Sequence, residues 1–140
     1  FVREAGRLLR PGGALAVIGM DPRQHRDRWY VYDYFPGTYE TDLARFPSWG
    51  QVLDWMVAAG LGVIRWELVE HIVDPKRGRS VLSDPFLEKN AASQLALLSD
   101  QAYRQGLARI RLAVAAPGGD RLQFPVEIML HMLVGRVAAA

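Results

Sequence analysis

Phe1 to Met20, FVREAGRLLRPGGALAVIGM, is the stretch on which the reading of the whole chain turns. Phe1, Ala5 and Leu8 recur at helical spacing, and Val2 and Leu9 widen the same stripe. Arg7 and Arg10 fall in the last turn, where cations suit the partial negative charge of a helix C-terminus. Pro11 cannot extend a helix, and Gly12 or Gly13 can take the left-handed conformation that closes one. Ala14 to Met20 is then a short, almost wholly apolar run. A half-exposed strand alternates polar and apolar residues, so an unbroken run predicts a strand buried on both faces, as in a parallel sheet.

Outward from that strand, Asp21 to Phe46 has no clean period and is dense in Trp29, Tyr30, Tyr32, Tyr34, Phe35 and Tyr39. It leaves the carboxyl end of the opening strand, the end at which ligands sit in open α/β sheets. Rings with polar tips suit a flat organic acceptor, and they equally suit a core beneath a long loop. Asp21 is a substrate contact by position and a loop-start carboxylate by default. Ser48 opens the clearest helix: Gln51 completes a capping box, and Trp49, Val52, Leu53 and Met56 make one apolar face. Gly60 and Gly62 end it. Val63 to Ile72 follows as a strand. Ile64, Trp66, Leu68 and Ile72 lie on one face and Arg65, Glu67 and His71 on the other, which predicts an edge strand with one solvated side. Strand, helix and strand together predict a right-handed crossover between two parallel strands.

Val126 to Val137 is mostly apolar on both faces, with Val126, Ile128, Leu130, Met132 and Val134 on one and Met129 and Leu133 on the other, as a central strand requires. Before it lies an insert, residues 73–123. Asp74 to Arg79 is a polar turn. Asp84-Pro85 predicts a helix running to about Leu98. Ser99 caps a second helix with the stripe Tyr103, Leu107, Ile110 and Val114. An insert that enters from the carboxyl end of a strand is placed to act as a lid, or it simply adds packing.

Glu4, the run Arg7-Leu8-Leu9-Arg10-Pro11-Gly12-Gly13 and the strand after it resemble one segment of class I S-adenosylmethionine-dependent methyltransferases. That segment enters the fifth strand, and the nearest group is the small-molecule methyltransferases related to the quinone-biosynthesis enzymes. The resemblance implies an α/β fold: a partial Rossmann-like sheet of two parallel strands with an antiparallel strand, Val126 to Val137, between them. It implies that residues 1–140 are the C-terminal half of one methyltransferase domain, whose inserts shape a pocket for a small-molecule acceptor. Asp21, Trp29, Tyr30, Tyr32, Tyr34 and Tyr39 are the candidate substrate contacts. His71, at the carboxyl end of its strand, is the candidate general base or acceptor hydrogen bond, beside the plainer reading of a polar-face residue.

Enzymes of this class hold S-adenosylmethionine on a Gly-rich turn after their first strand, followed by an acid that binds the ribose. Here Gly12-Gly13 precedes a strand and Gly118-Gly119 leads to the last one, so no G-x-G pattern follows a strand. S-adenosylmethionine and the enzyme activity are therefore expected of the parent protein and not of this chain alone, with Phe1 reading as a cut edge inside a helix. The opening strand is then left with an unpaired edge, which predicts self-association. The rival reading is a non-catalytic interaction module docking through that edge.

At 140 residues the chain is one domain at most, and 50% hydrophobic residues suffice for a core. A net charge of +2, with no basic run on one face, argues against nucleic acid as a partner. The absence of cysteine excludes disulfides, thiolate metal sites and a Cys nucleophile, and fits a reducing cytoplasm, the expected setting. His25, His71 and His131 lack metal-ligand spacing, so no metal is expected. No G-x-S-x-G exists for a serine nucleophile, and no apolar run is long enough for a membrane partner.

Overall fold

The computed structural model describes residues 1–24 and 26–139, with every side chain among them except that of Ile64. In chain order the helices are α1 (Val2–Leu8), α2 (Tyr30–Tyr34), α3 (Thr38–Arg45), α4 (Trp49–Ala58), α5 (Ser93–Ala96) and α6 (Asp100–Ala115). The strands are β1 (Ala14–Gly19), β2 (Arg28–Trp29), β3 (Leu61–Val73), β4 (Lys76–Arg77), β5 (Gln123–Phe124) and β6 (Val126–Val137). The chain divides into two compact units. Unit 1 is Phe1–Gln24, Phe46–His71 and Met129–Ala140; unit 2 is His25–Arg45 and Ile72–Ile128.

In unit 1 the opening stretch folds as helix, turn and strand. Leu9 leaves α1 in extended conformation, and Gly12 turns the chain with φ 74, a value that L side chains rarely adopt. The Arg136 guanidinium donates to the Gly12 carbonyl at 2.7 Å. The apolar stripe of α1 is rotated from the one the spacing predicts: Val2 is buried and Leu9 half-buried, while Phe1 and Leu8 are exposed. The reason is the crossing with α4. A Cβ on Gly6 would stand 2.9 Å from the Ala59 carbonyl oxygen, so the side of α1 that fits closely is that of Val2 and Gly6.

The α4 helix begins as the sequence predicts. Ser48 Oγ accepts from the Gln51 amide at 3.2 Å, and Gln51 Oε1 accepts from the Ser48 amide at 2.9 Å. Trp49, Val52 and Met56 are buried with Val2, Leu61 and Leu133. Gly60, with φ 76, stops the helix.

β1 runs antiparallel to β6, from Ala14 opposite Arg136 to Gly19 opposite His131. Leu15 and Val17 pack on the core of unit 1, whereas Ala14, Ala16 and Ile18 are exposed. The expectation of a strand buried on both faces is thus corrected: the apolar run is covered on one face only. Among the described residues β1 bonds to β6 alone. On β3, Trp66 and Leu68 are also exposed, although the alternation put them on the covered side; Ile64, placed with them, has its side chain outside the described residues.

The partial Rossmann-like sheet is corrected as well. Every ladder described is antiparallel: β1 with β6, β2 with β6, and β4 with β5. β6 is bonded to β1, β2 and β3, and no parallel pair occurs among the described residues. A strand–helix–strand pattern fixes the connection but not the hydrogen-bonding neighbour. Here β6 lies beside both β1 and β3, the place the resemblance gives it, and takes up the backbone groups through which those two could pair.

Unit 2 has its own core, in which Tyr30, Val31, Phe35, Leu95, Ile110 and Phe124 are almost fully buried. The segment read as irregular aromatic loop contains β2, α2 and α3. The α6 helix starts at its predicted cap, Ser99 Oγ accepting from the Ala102 amide at 3.1 Å, and buries Ile110 and Val114. The helix predicted from Asp84 to about Leu98 is instead a 3-10 turn, Pro85–Leu87, an extended break and the single turn of α5. Glu88 and Ala92 are extended, with ψ 134 and 142, and no apolar stripe holds the two pieces in register. No helix among the described residues is long and apolar enough to cross a membrane.

Candidate functional site

The aromatic candidates all belong to unit 2, where they form two groups. Trp29 meets Tyr32 edge-on at 5.8 Å between centroids, and Tyr32 meets Tyr39 at 5.2 Å. Tyr30 and Tyr34 both pack on Phe124, at 5.8 and 5.3 Å. Their polar tips are used inside the unit. The Tyr32 hydroxyl donates to Asp42 Oδ2 at 2.8 Å, and Asp42 also accepts from Gln94 Nε2 at 2.7 Å and from Arg45 Nη2 at 2.9 Å. The Tyr30 hydroxyl donates to Asp84 Oδ2 at 2.8 Å, while Asp84 Oδ1 accepts from the Phe86 amide at 3.0 Å. Asp42 and Asp84 are both buried. These bonds make Tyr30 and Tyr32 framework residues; Tyr34 and Tyr39 keep half-buried rings that a ligand can touch.

Burial, and then the carboxylate beside each hydroxyl, pushes the pKa of Tyr30 and Tyr32 well above the ordinary tyrosine range. The unfolded chain ionises these hydroxyls near pH 10, so beyond that point the folded state holds more protons than the unfolded one. The stabilisation is complete below about pH 10 and is lost as pH rises towards the raised folded values. Two of the five tyrosines should therefore resist titration until the protein unfolds in alkali. Tyrosinate absorbance followed together with circular dichroism checks this. If all five tyrosines ionise while the fold persists, the hydroxyl–carboxylate pairs are not formed.

Unit 2 also holds a cleft of about 430 Å³, whose lining includes Asp84, the partner of Tyr30, but none of the aromatic candidates themselves. One wall is the segment around Ser83, Asp84, Leu87 and Glu88; the other is the α6 column Tyr103, Leu107 and Arg111. Tyr103 closes one end by donating its hydroxyl to the Leu87 carbonyl at 2.6 Å. Its size suits a small organic molecule. Sequence reasoning placed Asp84 at a helix start and Tyr103 and Leu107 in a core stripe. The available signal was the i, i+4, i+8 spacing of Tyr103, Leu107 and Arg111, an aromatic, an aliphatic and a cation on one helix face.

Asp21 belongs to unit 1 and is buried. Its Oδ2 accepts from the Trp49 amide at 3.2 Å and its Oδ1 from the Arg23 amide at 3.1 Å, so it caps α4 and tightens the turn before it. His71 is exposed near the end of β3 in unit 1. His131 is half-buried, its ring 6.2 Å from that of Trp49, and His25 lies outside the described residues. Among the described residues no group of three or more His, Asp or Glu is arranged to hold a metal ion.

The acid that directly follows β1 is Asp21, a buried carboxylate that accepts from the backbone amides of Trp49 and Arg23 and from the Arg23 guanidinium.

No protein-family model matches the chain, and no curated protein matches it in sequence. Among solved structures it has a distant neighbour in the YcgJ protein from Bacillus subtilis, with 11% sequence identity and a TM-score of 0.46. The match covers 99% of this chain and 57% of that one, so the chain spans little more than half the neighbour's length.

Proposed function

We propose that the chain is the acceptor-binding part of an S-adenosylmethionine-dependent methyltransferase that acts on a small organic molecule in the cytoplasm. One observation carries the reading. The segments that leave the carboxyl ends of β1 and β3 fold into a single unit with its own core and its own cleft. In the enzymes that Glu4 to Gly19 resembles, inserts at those places shape the acceptor pocket. In this reading the cleft desolvates and aligns the acceptor, the main task of a protein in methyl transfer. The methyl donor is held by other residues of the parent protein.

Calorimetry tests the division of labour. This chain should show no micromolar affinity for S-adenosylmethionine, and the longer protein that carries it should bind the cofactor and pass a labelled methyl group to small organic acceptors. A longer protein that neither binds nor transfers would overturn the reading.

A specific observation favours a second reading, an interaction module. β1 offers one unpaired edge among the described residues, and Ile18 beside it is 60% exposed. Under this reading the chain self-associates through that edge, and Ile18→Lys, which adds a charge to a solvent-facing position, makes it monomeric. Light scattering at rising concentration decides: a wild-type chain that stays monomeric removes this reading.

A further inference from the structure

The cleft of unit 2 has charges at its two ends that the fold does not use. Because Tyr103 is bonded to the Leu87 carbonyl, Glu88, the next residue, lies at the Tyr103 end. Arg111 is two helical turns further on, about 12 Å along the axis of α6. Neither Glu88 nor Arg111 has an ion-pair partner among the described residues, and Lys89, beside Glu88, is committed to Asp100. Asp84 adds a buried carboxylate to the same wall as Glu88, hydrogen-bonded to two neutral donors. Leu87, Leu107 and the Tyr103 ring supply apolar surface to the same cleft.

We propose that this cleft binds an elongated small molecule with an ammonium group at one end, a carboxylate at the other and hydrocarbon between. The ammonium meets Glu88, the carboxylate meets Arg111, and the chain lies on Leu107 and Tyr103. A cleft of about 430 Å³ is large enough for such a molecule. Neither terminal charge must abandon a protein partner to meet it. As the chemical class of the methyl acceptor this rests on the reading above; as a binding event it does not.

The probe is 8-aminooctanoate, zwitterionic at neutral pH, titrated into isotopically labelled chain and followed by amide NMR, with octanoate and octylamine as one-ended controls. Saturable shifts should gather on residues 82–88 and 103–111. Arg111→Gln should weaken 8-aminooctanoate and octanoate roughly threefold while sparing octylamine, as expected for an exposed charge pair. Glu88→Gln should do the reverse. Both side chains are exposed, so the variants should keep the wild-type spectrum elsewhere. Shifts confined to other residues, or affinities indifferent to both substitutions, overturn the proposal. Binding without methylation by the longer protein leaves it standing and removes the methyl-transfer reading instead.

Discussion

Replacing Asp42 by alanine should lower the stability of unit 2 by about 3 kcal/mol. Asp42 is 0% exposed and accepts from three side chains drawn from separate parts of the unit: Tyr32 of α2, Arg45 of its own helix and Gln94 of α5. Removing the carboxylate leaves the Gln94 amide buried without that acceptor and the Tyr32 hydroxyl half-buried without it. An unsatisfied buried donor costs about 1–3 kcal/mol, more than the net gain from an ordinary hydrogen bond. The Arg45 contribution is smaller, because its side chain is 30% exposed and water can replace the carboxylate. Asp42→Asn keeps the shape and one acceptor, and should cost less. Urea unfolding followed by the near-ultraviolet signal of the tyrosines measures both. A loss below about 1 kcal/mol for alanine would mean that the three donors find other partners.

Gly106→Ala should also destabilise unit 2, by about 2 kcal/mol, although the position is helical. On an exposed helix face the same change stabilises by up to about 1 kcal/mol, because glycine is the more flexible residue. Here the added Cβ would stand 2.1 Å from Cδ1 of Phe35, a ring that is 1% exposed and stacked on Tyr103. Such overlap forces the ring off its rotamer or α6 away from α2, and overpacking of this kind costs about 1–3 kcal/mol. The steric term therefore wins over propensity. Phe35→Leu, which shortens the offending side chain, should recover part of the loss in the double variant, since the two positions touch. A thermal midpoint raised by Gly106→Ala would show that the contact is looser than described.

Both changes fall where the sequence was hard to read. α3 buries Thr38 and Asp42, two polar residues, so a search for apolar period passes over it. α2 is only five residues long and lies in an aromatic run without a period. The α4 helix was legible because Ser48 and Gln51 state its start chemically, and Ser99 did the same for α6. β6 was legible because its apolar residues occupy both faces. Its place beside β1 and β3 came from the resemblance, since periodicity says which side of a strand is covered and nothing about which strand lies beside it. At the candidate site, the aromatic segment was found but its partners Asp42 and Asp84 were not. Each lies at least ten residues from the tyrosine it meets, a separation no local motif spans.

The pairing of β1 with β6 joins residue 14 to residue 136. A ribosome therefore adds more than a hundred residues after β1 before that strand acquires this partner. Until then Leu15, Val17 and the backbone of β1 are open to solvent and to other nascent chains. Closing so distant a contact is slow, because the chain entropy is lost before the ladder returns any stability. The synthesis of β6 thus sets when β1 is safe from aggregation, and synthesis at high concentration without chaperones should favour clumping over folding.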